Sequence, residues 1–473
     1  MADRPDLDAL VVGSGPNGLV AAVRLAEAGA TVLVLEADAQ AGGGLRSAEL
    51  TLPGFVHDLC SSVHPLALGS PAFRELGIAD HVPFRHPETP LGHPLSDGGA
   101  LLHRDLAATA AELGVDGDAW RRLLGPLARS SDVVDMVLSP FDLPRHPLEL
   151  ARFGLTAGFP AAALARLAFR TQHARALFAG LACHAIVPLG TPGTAAFGQL
   201  LGGLGHHVGW PVAQGGSQRI ADHLIARLRA AGGELVTGHR VRALADEPPA
   251  RVTLLDLAPR QVVEVAGDRL PARYLARLRR FRRGAGVFKL DWALDGPVPW
   301  RDPRMAAAGT LHLGGTAAEI VAGESAVGHN RIAERPFVLF VQATVPDPSR
   351  APAGKHTGWA YCHVPNGCTV DMTDAIENQV ERYAPGFRDR ILGRHAMSPA
   401  DVETHDNAMI GGDINGGSAA WAQALFRPVA SLDPWSTPLP GLYLCSASTP
   451  PGGGVHGMGG WHASSRALLR LGG

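Results

Sequence analysis

The chain has 473 residues, 46% of them hydrophobic, and a formal net charge of −2 at pH 7. This length and composition predict two or three domain-sized units with substantial cores and exclude a disordered chain. The near-neutral charge, with no block of Lys and Arg, argues against nucleic acid as a partner.

The cysteines and the N-terminus bear on where the protein works. The five cysteines are scattered and form no CxxC pair, so we expect neither a disulfide framework nor a metal site. This pattern favours a reducing, cytoplasmic setting. The first eight residues are polar and acidic, unlike an export signal, and the stretch around 153–165 is too short to span a bilayer.

The first elements along the chain are predicted to be a strand, a helix and a second strand. Residues 7–12 form a short apolar run, and 16–29 carry small and aliphatic residues at helical spacing. A β-branched run over 31–35 completes the unit. The N-terminus is therefore predicted to form one βαβ unit.

The turn inside this unit carries a GxGxxG pattern, Gly13-Ser14-Gly15-Pro16-Asn17-Gly18. Gly13 permits a tight turn, Gly15 lets the backbone approach a pyrophosphate, and Gly18 lets the helix pack on the strand. Glu36 follows the second strand directly, where a carboxylate can accept hydrogen bonds from ribose hydroxyls. The pattern predicts a dinucleotide site with phosphates at the helix N-terminus.

The remaining chain is predicted to alternate between helical and sheet-containing segments. Residues 71–204 look helical and loop-rich, and Gly202 to Gly205 is expected to be a loop. Further helices are expected at 218–231 and 462–471, and strands at 234–242, 287–294, 337–342, 357–364 and 441–445.

Two more glycine-rich segments distinguish between possible dinucleotides. Gly42-Gly43-Gly44 precedes Arg46, and this loop can cover the pyrophosphate while the guanidinium binds phosphate or flavin. Near the C-terminus, a strand, a glycine loop and a helix follow one another over 441–471. Backbone N–H groups of such a loop can face the pyrimidine edge of a flavin.

These motifs resemble those of the phytoene-desaturase-type and amine-oxidase flavoproteins, and the chain is most similar to the subgroup named pyridine nucleotide-disulfide oxidoreductase domain protein 2. Further matching segments are 286–294, 359–366, 411–417 and 426–428, so the resemblance covers nearly the whole chain. It implies an FAD-dependent oxidoreductase that takes a hydride from a largely apolar or amine-bearing substrate. Because the chain has no second fingerprint for NADPH, oxygen, a quinone or a carrier protein is the expected electron acceptor.

The resemblance also implies a fold class and a set of cofactor contacts. The fold is expected to combine α/β and α+β parts: a discontinuous Rossmann-like FAD-binding domain (1–70, 205–265 and 425–473), a helical insertion (71–204) and a sheet-containing substrate domain (266–424). The expected FAD contacts are Gly13, Gly15, Pro16, Asn17, Gly18, Glu36, Ala37, Gly43, Gly44, Arg46, Val241, Ser446, Gly454, Val455, His456 and Gly459.

Some features depart from these families or leave alternatives open. Phytoene desaturases have glycine and histidine where this chain has Ser446 and Pro450, so the role of that histidine does not transfer. An amine oxidase needs an aromatic cage, which is not obvious with 6% aromatic residues. A non-catalytic flavin-binding protein is a third alternative, whereas a disulfide reductase would need a cysteine pair that is absent.

Lys289 and His456 are the candidate catalytic residues. Lys289 lies in the middle of a predicted strand and is one of two lysines in an arginine-rich chain, so it either approaches the flavin or pairs with Asp291 or Asp295. His456 either orients or protonates groups near the flavin or caps the terminal helix.

Other polar residues have weaker claims to a role. The pair His206 and His207 is expected to be structural, while Tyr361 and His363 on one strand face are candidates for the substrate cavity. Residues 145–204 carry arginines interleaved with phenylalanines, which predicts either peripheral membrane contact or a solvated helix face.

Overall fold

The computed structural model describes residues 7–420, 423–424 and 426–472. The residues 1–6, on which the prediction about an export signal rests, lie outside this part. Within it the strands are β1 (Leu7–Val12), β2 (Val32–Leu35), β3 (Ser47–Ala48), β4 (His57–Asp58), β5 (Phe84–Arg85), β6 (Thr89–Leu95), β7 (Gly98–Leu102), β8 (Val212–Ala213), β9 (Glu234–Val236), β10 (Ala250–Leu255), β11 (Gly286–Leu294), β12 (Ala308–Leu313), β13 (Val338–Val341), β14 (His356–Val364), β15 (Ile391–Met397) and β16 (Leu442–Leu444).

The helices surround these strands. They are α1 (Pro16–Glu27), α2 (Pro65–Gly69), α3 (Pro71–Glu75), α4 (Ile78–His81), α5 (Leu106–Glu112), α6 (Gly117–Arg129), α7 (Asp132–Leu138), α8 (Pro147–Ala157), α9 (Ala161–Ala168), α10 (Gln172–Ala182), α11 (Thr194–His207), α12 (Gln218–Ala230), α13 (Pro259–Ala266), α14 (Ala272–Arg279), α15 (Ala317–Gly328), α16 (Thr373–Tyr383), α17 (Pro399–His405) and α18 (Met458–Gly472). None of those in the described ranges has the length and apolar character needed to cross a bilayer.

One sheet is parallel throughout and has the strand order β16-β10-β1-β2-β9. Its strands are short apolar runs because helices cover both faces, as parallel sheets require. The glycines of α18 bring the two chain ends together: a Cβ on Gly460 would lie 1.9 Å from the carbonyl oxygen of Asn17 in α1. Only glycine lets these helices approach so closely.

The second sheet is mixed, with the order β15-β11-β14-β13-β12-β6-β7. Strand alternation gives it two different faces. Leu290, Trp292 and Phe340 pack with Ile376 and Val380 of α16 on one side. The opposite face, which includes Leu339, Trp359 and Tyr361, joins the core shared with the parallel sheet.

The structure confirms the predicted fold class, a Rossmann-like parallel sheet with a second, mixed unit. Three predictions of secondary structure are wrong in part. The segment predicted as helical also supplies β6 and β7, and Gly202 to Gly205 lie inside α11, where Leu127 packs so close to Gly203 that a Cβ would be 2.3 Å away. The strand predicted over 234–242 ends at Val236, because only that part pairs with β2.

Candidate active site

A cavity of about 800 Å³ lies where the carboxyl ends of the parallel strands face the mixed sheet. Turns after β1, β2, β10 and β16 contribute to its walls, together with residues of α7, α8 and α11. Open α/β sheets bind ligands at this edge of their strands. The cavity is therefore the candidate active site.

The turn from β1 to α1 forms the floor of the cavity with backbone. Gly13 has φ +98°, a conformation that other residues rarely adopt, and Pro16 starts α1 with its fixed φ. Gly15, Pro16 and Asn17 line the cavity. Gly18 does not; a Cβ there would lie 2.2 Å from the carbonyl oxygen of Gly13, so its role is close packing of helix on strand.

Glu36 is held at the end of β2 and lines the cavity with Ala37. Its carboxylate accepts hydrogen bonds from the backbone N–H of Ser14 (2.9 Å), the hydroxyl of Ser14 (2.5 Å) and the N–H of Asp38 (2.9 Å). These donors fix the carboxylate beside the glycine turn, the position from which such an acid reaches a ribose.

The second glycine cluster lies against the first. A Cβ on Gly43 would be 3.0 Å from the Cα of Gly15, and Gly43 and Gly44 both line the cavity. Arg46 is buried and donates to the carbonyls of Gly43 (3.1 Å) and His405, and it pairs with Asp38 at 3.0 Å. These contacts hold its guanidinium at the cavity wall.

The loop between β16 and α18 closes the other side. Ser446, Gly454, Val455 and His456 line the cavity, while Gly459 packs behind it, since a Cβ there would lie 2.3 Å from the carbonyl oxygen of Cys445. The hydroxyl of Ser446 donates to the carbonyl of Leu257 at 2.7 Å, which ties this loop to the end of β10.

His456 has both ring nitrogens engaged. Nδ1 accepts from the N–H of Met458, the first residue of α18, at 3.0 Å, and Nε2 lies 3.2 Å from the carbonyl of Gly452. Burial lowers the pKa of this imidazole to about 4. The ring is neutral and caps the helix, with no free nitrogen for proton transfer.

Lys289 lies behind the cavity wall and not in it. It forms a buried ion pair with Asp291, and its Nζ is 5.5 Å from the centre of the Trp359 ring, which itself lines the cavity. His57 and His395 flank the same carboxylate at 3.6 and 3.8 Å. The Trp359 indole thus lies beside the ammonium group and forms part of the cavity lining, to which Lys289 does not contribute.

Sequence reasoning missed Asp256, which lies at the centre of the glycine turn. Its Oδ2 accepts from the N–H of Gly18 at 2.9 Å and would be 2.7 Å from a Cβ on Gly15. Burial raises the pKa of Asp256 to about 7, and Asp406 and Glu36 contribute to the increase. The sequence signal for Asp256 is the run over 250–255, which forms β10 but was not predicted as a strand. Asp256 is the residue that follows this strand.

The far end of the cavity passes Val241, which lies in the loop after β9 beside His239 and Glu264. The lining thus extends from Val241, past the glycine turns, to the loop at His456. This length and backbone character fit an extended dinucleotide. Burial also raises the pKa of Asp406, as it does that of Asp256, which favours the neutral form of each carboxyl.

Beyond the part of the cavity that fits a dinucleotide lies a region that we call the chamber. Its walls are mostly apolar and come from α7, α8, α11 and the floor of the mixed sheet: Leu138, Phe153, His184, Ile186, Phe197, Leu200, Trp210, Thr310, Leu339, Trp359 and Tyr361.

Tyr361 lines the chamber, whereas His206, His207 and His363 do not. His363 lies behind the wall with Nδ1 2.9 Å from both carboxylate oxygens of Glu324. His206 accepts from the Trp120 indole N–H at 2.9 Å, and His207 contacts the carbonyl of Ala128 at 3.2 Å, both away from the lining. Within the described residues no cluster of His, Cys, Asp or Glu could hold a metal ion.

Comparisons with known sequences agree with this architecture. A profile of the NAD(P)-binding Rossmann-like domain matches residues 11–76. The rat pyridine nucleotide-disulfide oxidoreductase domain-containing protein 2 is 26% identical, with 98% of this chain and 93% of that protein covered. One of the limonene dehydrogenase chains of Castellaniella defragrans is 23% identical (100% and 96% covered), and the lycopene-forming phytoene desaturase of Pantoea ananas is 24% identical (97% and 98%).

Solved structures share the fold over nearly the full length. An oxidoreductase from Methanosarcina mazei superposes with a TM-score of 0.67 at 17% identity, covering 98% of this chain and 100% of that one. A putrescine oxidase variant gives a TM-score of 0.63 at 17% identity, with 98% of both chains covered. The predicted resemblance to the phytoene-desaturase and amine-oxidase group is thereby confirmed.

Proposed function

We propose that the chain is an FAD-dependent oxidoreductase that dehydrogenates a largely apolar organic substrate. One observation carries the proposal: glycine-rich backbone from both ends of the chain lines a single cavity that continues into an apolar chamber. The similarity to oxidoreductases over the full length supports the same class. When bound, FAD supplies a two-electron acceptor for a hydride, and oxygen, a quinone or a carrier protein then receives the electrons.

The protein side of this function is binding and positioning. The segments 1–70, 205–265 and 425–473 form the FAD-binding unit, with 71–204 and 266–424 as the substrate unit. Gly15, Glu36, Gly44 and Arg46 hold the pyrophosphate and ribose, Val241 contacts the adenine side, and Val455 contacts the flavin. Apolar walls exclude water and orient a C–H bond, so that proximity supplies much of the catalysis. After the hydride has left, an allylic or amine substrate releases its proton to the solvent outside these walls, so no dedicated protein base is required.

The test is reconstitution followed by anaerobic reduction. We expect the chain to bind FAD, giving a flavin spectrum, but not FMN, which lacks the AMP half of FAD. Glu36→Ala should weaken FAD binding about tenfold or more, because hydrogen bonds to a charged group are worth roughly 1.5–3 kcal/mol. Glu234→Ala, at an exposed carboxylate on the neighbouring strand, is the control. Folded protein that binds no FAD would contradict the proposal.

One observation favours amine oxidation as a second candidate. Trp359 and Tyr361 line the chamber with their rings 5.4 Å apart at 84°, two members of the aromatic surface that an amine would need. Reduction of the bound flavin by cyclohexylamine, but not by an unsaturated hydrocarbon, would favour it. A flavin that no substrate reduces would favour the non-catalytic alternative.

We also propose peripheral membrane contact through an apolar patch on α8, α9 and the preceding loop. Its exposed members are Leu143, Leu148, Leu155, Phe159 and Leu167, and exposed arginines at 145, 152, 166 and 170 surround them. Phe153 of the same α8 lines the chamber. A lipophilic substrate could therefore pass from a bilayer to the chamber along one helix.

A further inference from the structure

The chamber has one polar end in otherwise apolar walls. Thr310 of β12 is fully buried and lines the cavity, yet its hydroxyl has no hydrogen-bond partner within the described part of the chain. Leaving a buried hydroxyl unpaired costs about 1–3 kcal/mol. A bound ligand would remove that cost, so the hydroxyl marks a place for a polar atom.

His184 is near Thr310 because it contacts His312, which lies two residues after Thr310 and on the same face of β12. The neighbours of His184 decide which ring nitrogen carries its proton. Its Nε2 is 3.2 Å from Nε2 of His312, so one of these atoms donates to the other. Nδ1 of His312 is buried without a partner among the described residues. An unpaired buried acceptor is tolerated more readily than an unpaired N–H. His312 therefore donates from Nε2, and His184 carries its proton on Nδ1, as a second donor at this end.

These imidazoles stay neutral at physiological pH. Burial, and then the neighbouring His363, lowers the pKa of His184 to about 3. Burial, with His184 and His93 nearby, lowers the pKa of His312 well below its usual value. The end of the chamber thus offers hydrogen-bond donors without positive charge. A carboxylate there would be buried without a counter-ion, which is costly.

We infer, building on the proposed flavoenzyme function, that the substrate is an apolar molecule with a neutral oxygen group, a hydroxyl or a carbonyl, which Thr310 and His184 bind in the chamber. Pure hydrocarbons leave both donors unpaired. Sites built to bind a hydroxyl discriminate against analogues that lack it for this reason. The two residues are therefore specificity determinants.

The test uses the FAD-loaded full chain and three ligands with one ten-carbon skeleton: limonene, perillyl alcohol and perillic acid. Affinities are measured anaerobically from the change in the flavin spectrum. Perillyl alcohol should bind at least tenfold more tightly than the other two. Thr310→Val and His184→Phe should each weaken the binding of perillyl alcohol about tenfold and should keep or strengthen that of limonene, because each removes one donor that a hydrocarbon leaves unpaired.

Thr357→Val is the matched control, because the hydroxyl of Thr357 is also buried without a partner in the described residues but lies outside the cavity lining. Both valine variants should keep or raise the melting temperature, and only Thr310→Val should change ligand preference. Equal affinity for the three ligands, binding of none, or a preference that survives in Thr310→Val overturns the inference. Failure to take up FAD contradicts the proposed function as well, whereas normal uptake without the preference contradicts this inference alone.

Discussion

At the scale of single residues, Asp256 is a buried carboxyl that also lines the cavity. An unfolded aspartate ionises near pH 3.8, whereas burial raises the pKa of Asp256 to about 7 in the fold. Between these values the folded chain binds one more proton than the unfolded chain. The free energy of unfolding therefore falls as pH rises from about 4 to about 7, and this contribution levels off above that.

We expect Asp256→Asn to remove this part of the pH dependence in the FAD-free protein. Relative to wild type, the variant should gain stability between pH 4 and 7, by at most about 1.4 kcal/mol per pH unit. Denaturant unfolding of both proteins across this range measures the difference. Asp389→Asn, at an exposed position, is the control and should show no such change. A difference that is constant with pH would contradict the protonated state.

For Lys289 and His456, the sequence predicted the segment in which each residue lies but not the contacts of its side chain. The strand around Lys289 was recognised from its pattern, but alternation alone does not reveal that Lys289 pairs with Asp291 while Trp359 of the paired strand lines the cavity. The loop of His456 was recognised from its glycines, yet both ring nitrogens bond to backbone that only the folded loop brings near. Motifs identified the segments, whereas hydrogen bonding decides the roles.

At the scale of elements, a buried network around Asp58 joins the two units. Asp58 of β4 accepts from the hydroxyl of Ser47 (2.7 Å), the N–H of Ser217 at the start of α12 (2.8 Å) and the guanidinium of Arg350 (3.1 Å). Its carbonyl accepts from the indole of Trp359 at 2.8 Å. A hairpin of the FAD side is thus tied to a loop and a strand of the mixed-sheet side.

Asp58→Ala should destabilise the protein by about 3–5 kcal/mol, because Arg350 would lose one of its two buried carboxylate partners and several donors would be left unpaired. Chemical denaturation measures this loss. Asp118→Ala breaks an exposed pair with Arg121 and should cost less than about 1 kcal/mol. Equal effects of the two substitutions would show that the network does not hold the units together.

Elements with strong local patterns were predictable, and those defined by tertiary pairing were not. Residues 218–230 form a helix within one residue of the prediction, since its apolar face repeats at helical spacing. The hairpin of β6 and β7 was not predicted because β6 shows no strand pattern. It is buried along its whole length, so apolar and polar residues do not alternate, and it contains Pro90 and Pro94, which usually interrupt strands. β10 was not predicted either. It pairs with β1 and β16 in the parallel sheet, and this tertiary pairing places Asp256 beside the glycine turn.

At the scale of the whole molecule, segments near both chain ends build one cofactor site together with Val241 and Asp256, while other parts of the middle build the chamber and the apolar patch on α8 and α9. In this patch Leu143 is 93% exposed and Leu148 is 79% exposed. Clustered apolar side chains in contact with water are unfavourable and usually mark a binding surface. An interfacial anchor buries such side chains in the bilayer and lets nearby arginines contact anionic headgroups. In the function proposed above, the patch and the chamber would serve one route for a lipophilic substrate.

Flotation with vesicles that contain phosphatidylserine tests this route. Wild-type protein should float with the vesicles at low salt, and the double substitution Leu148→Glu with Leu155→Glu should abolish flotation, because two carboxylates would enter the interface and repel anionic lipid. Leu392→Glu, on the edge strand β15 at the end of the mixed sheet opposite β7, should float as wild type does. FAD content and melting temperature should stay unchanged in all variants, which separates membrane contact from folding. Wild-type protein that stays at the bottom of the gradient at low salt would assign the patch to another use.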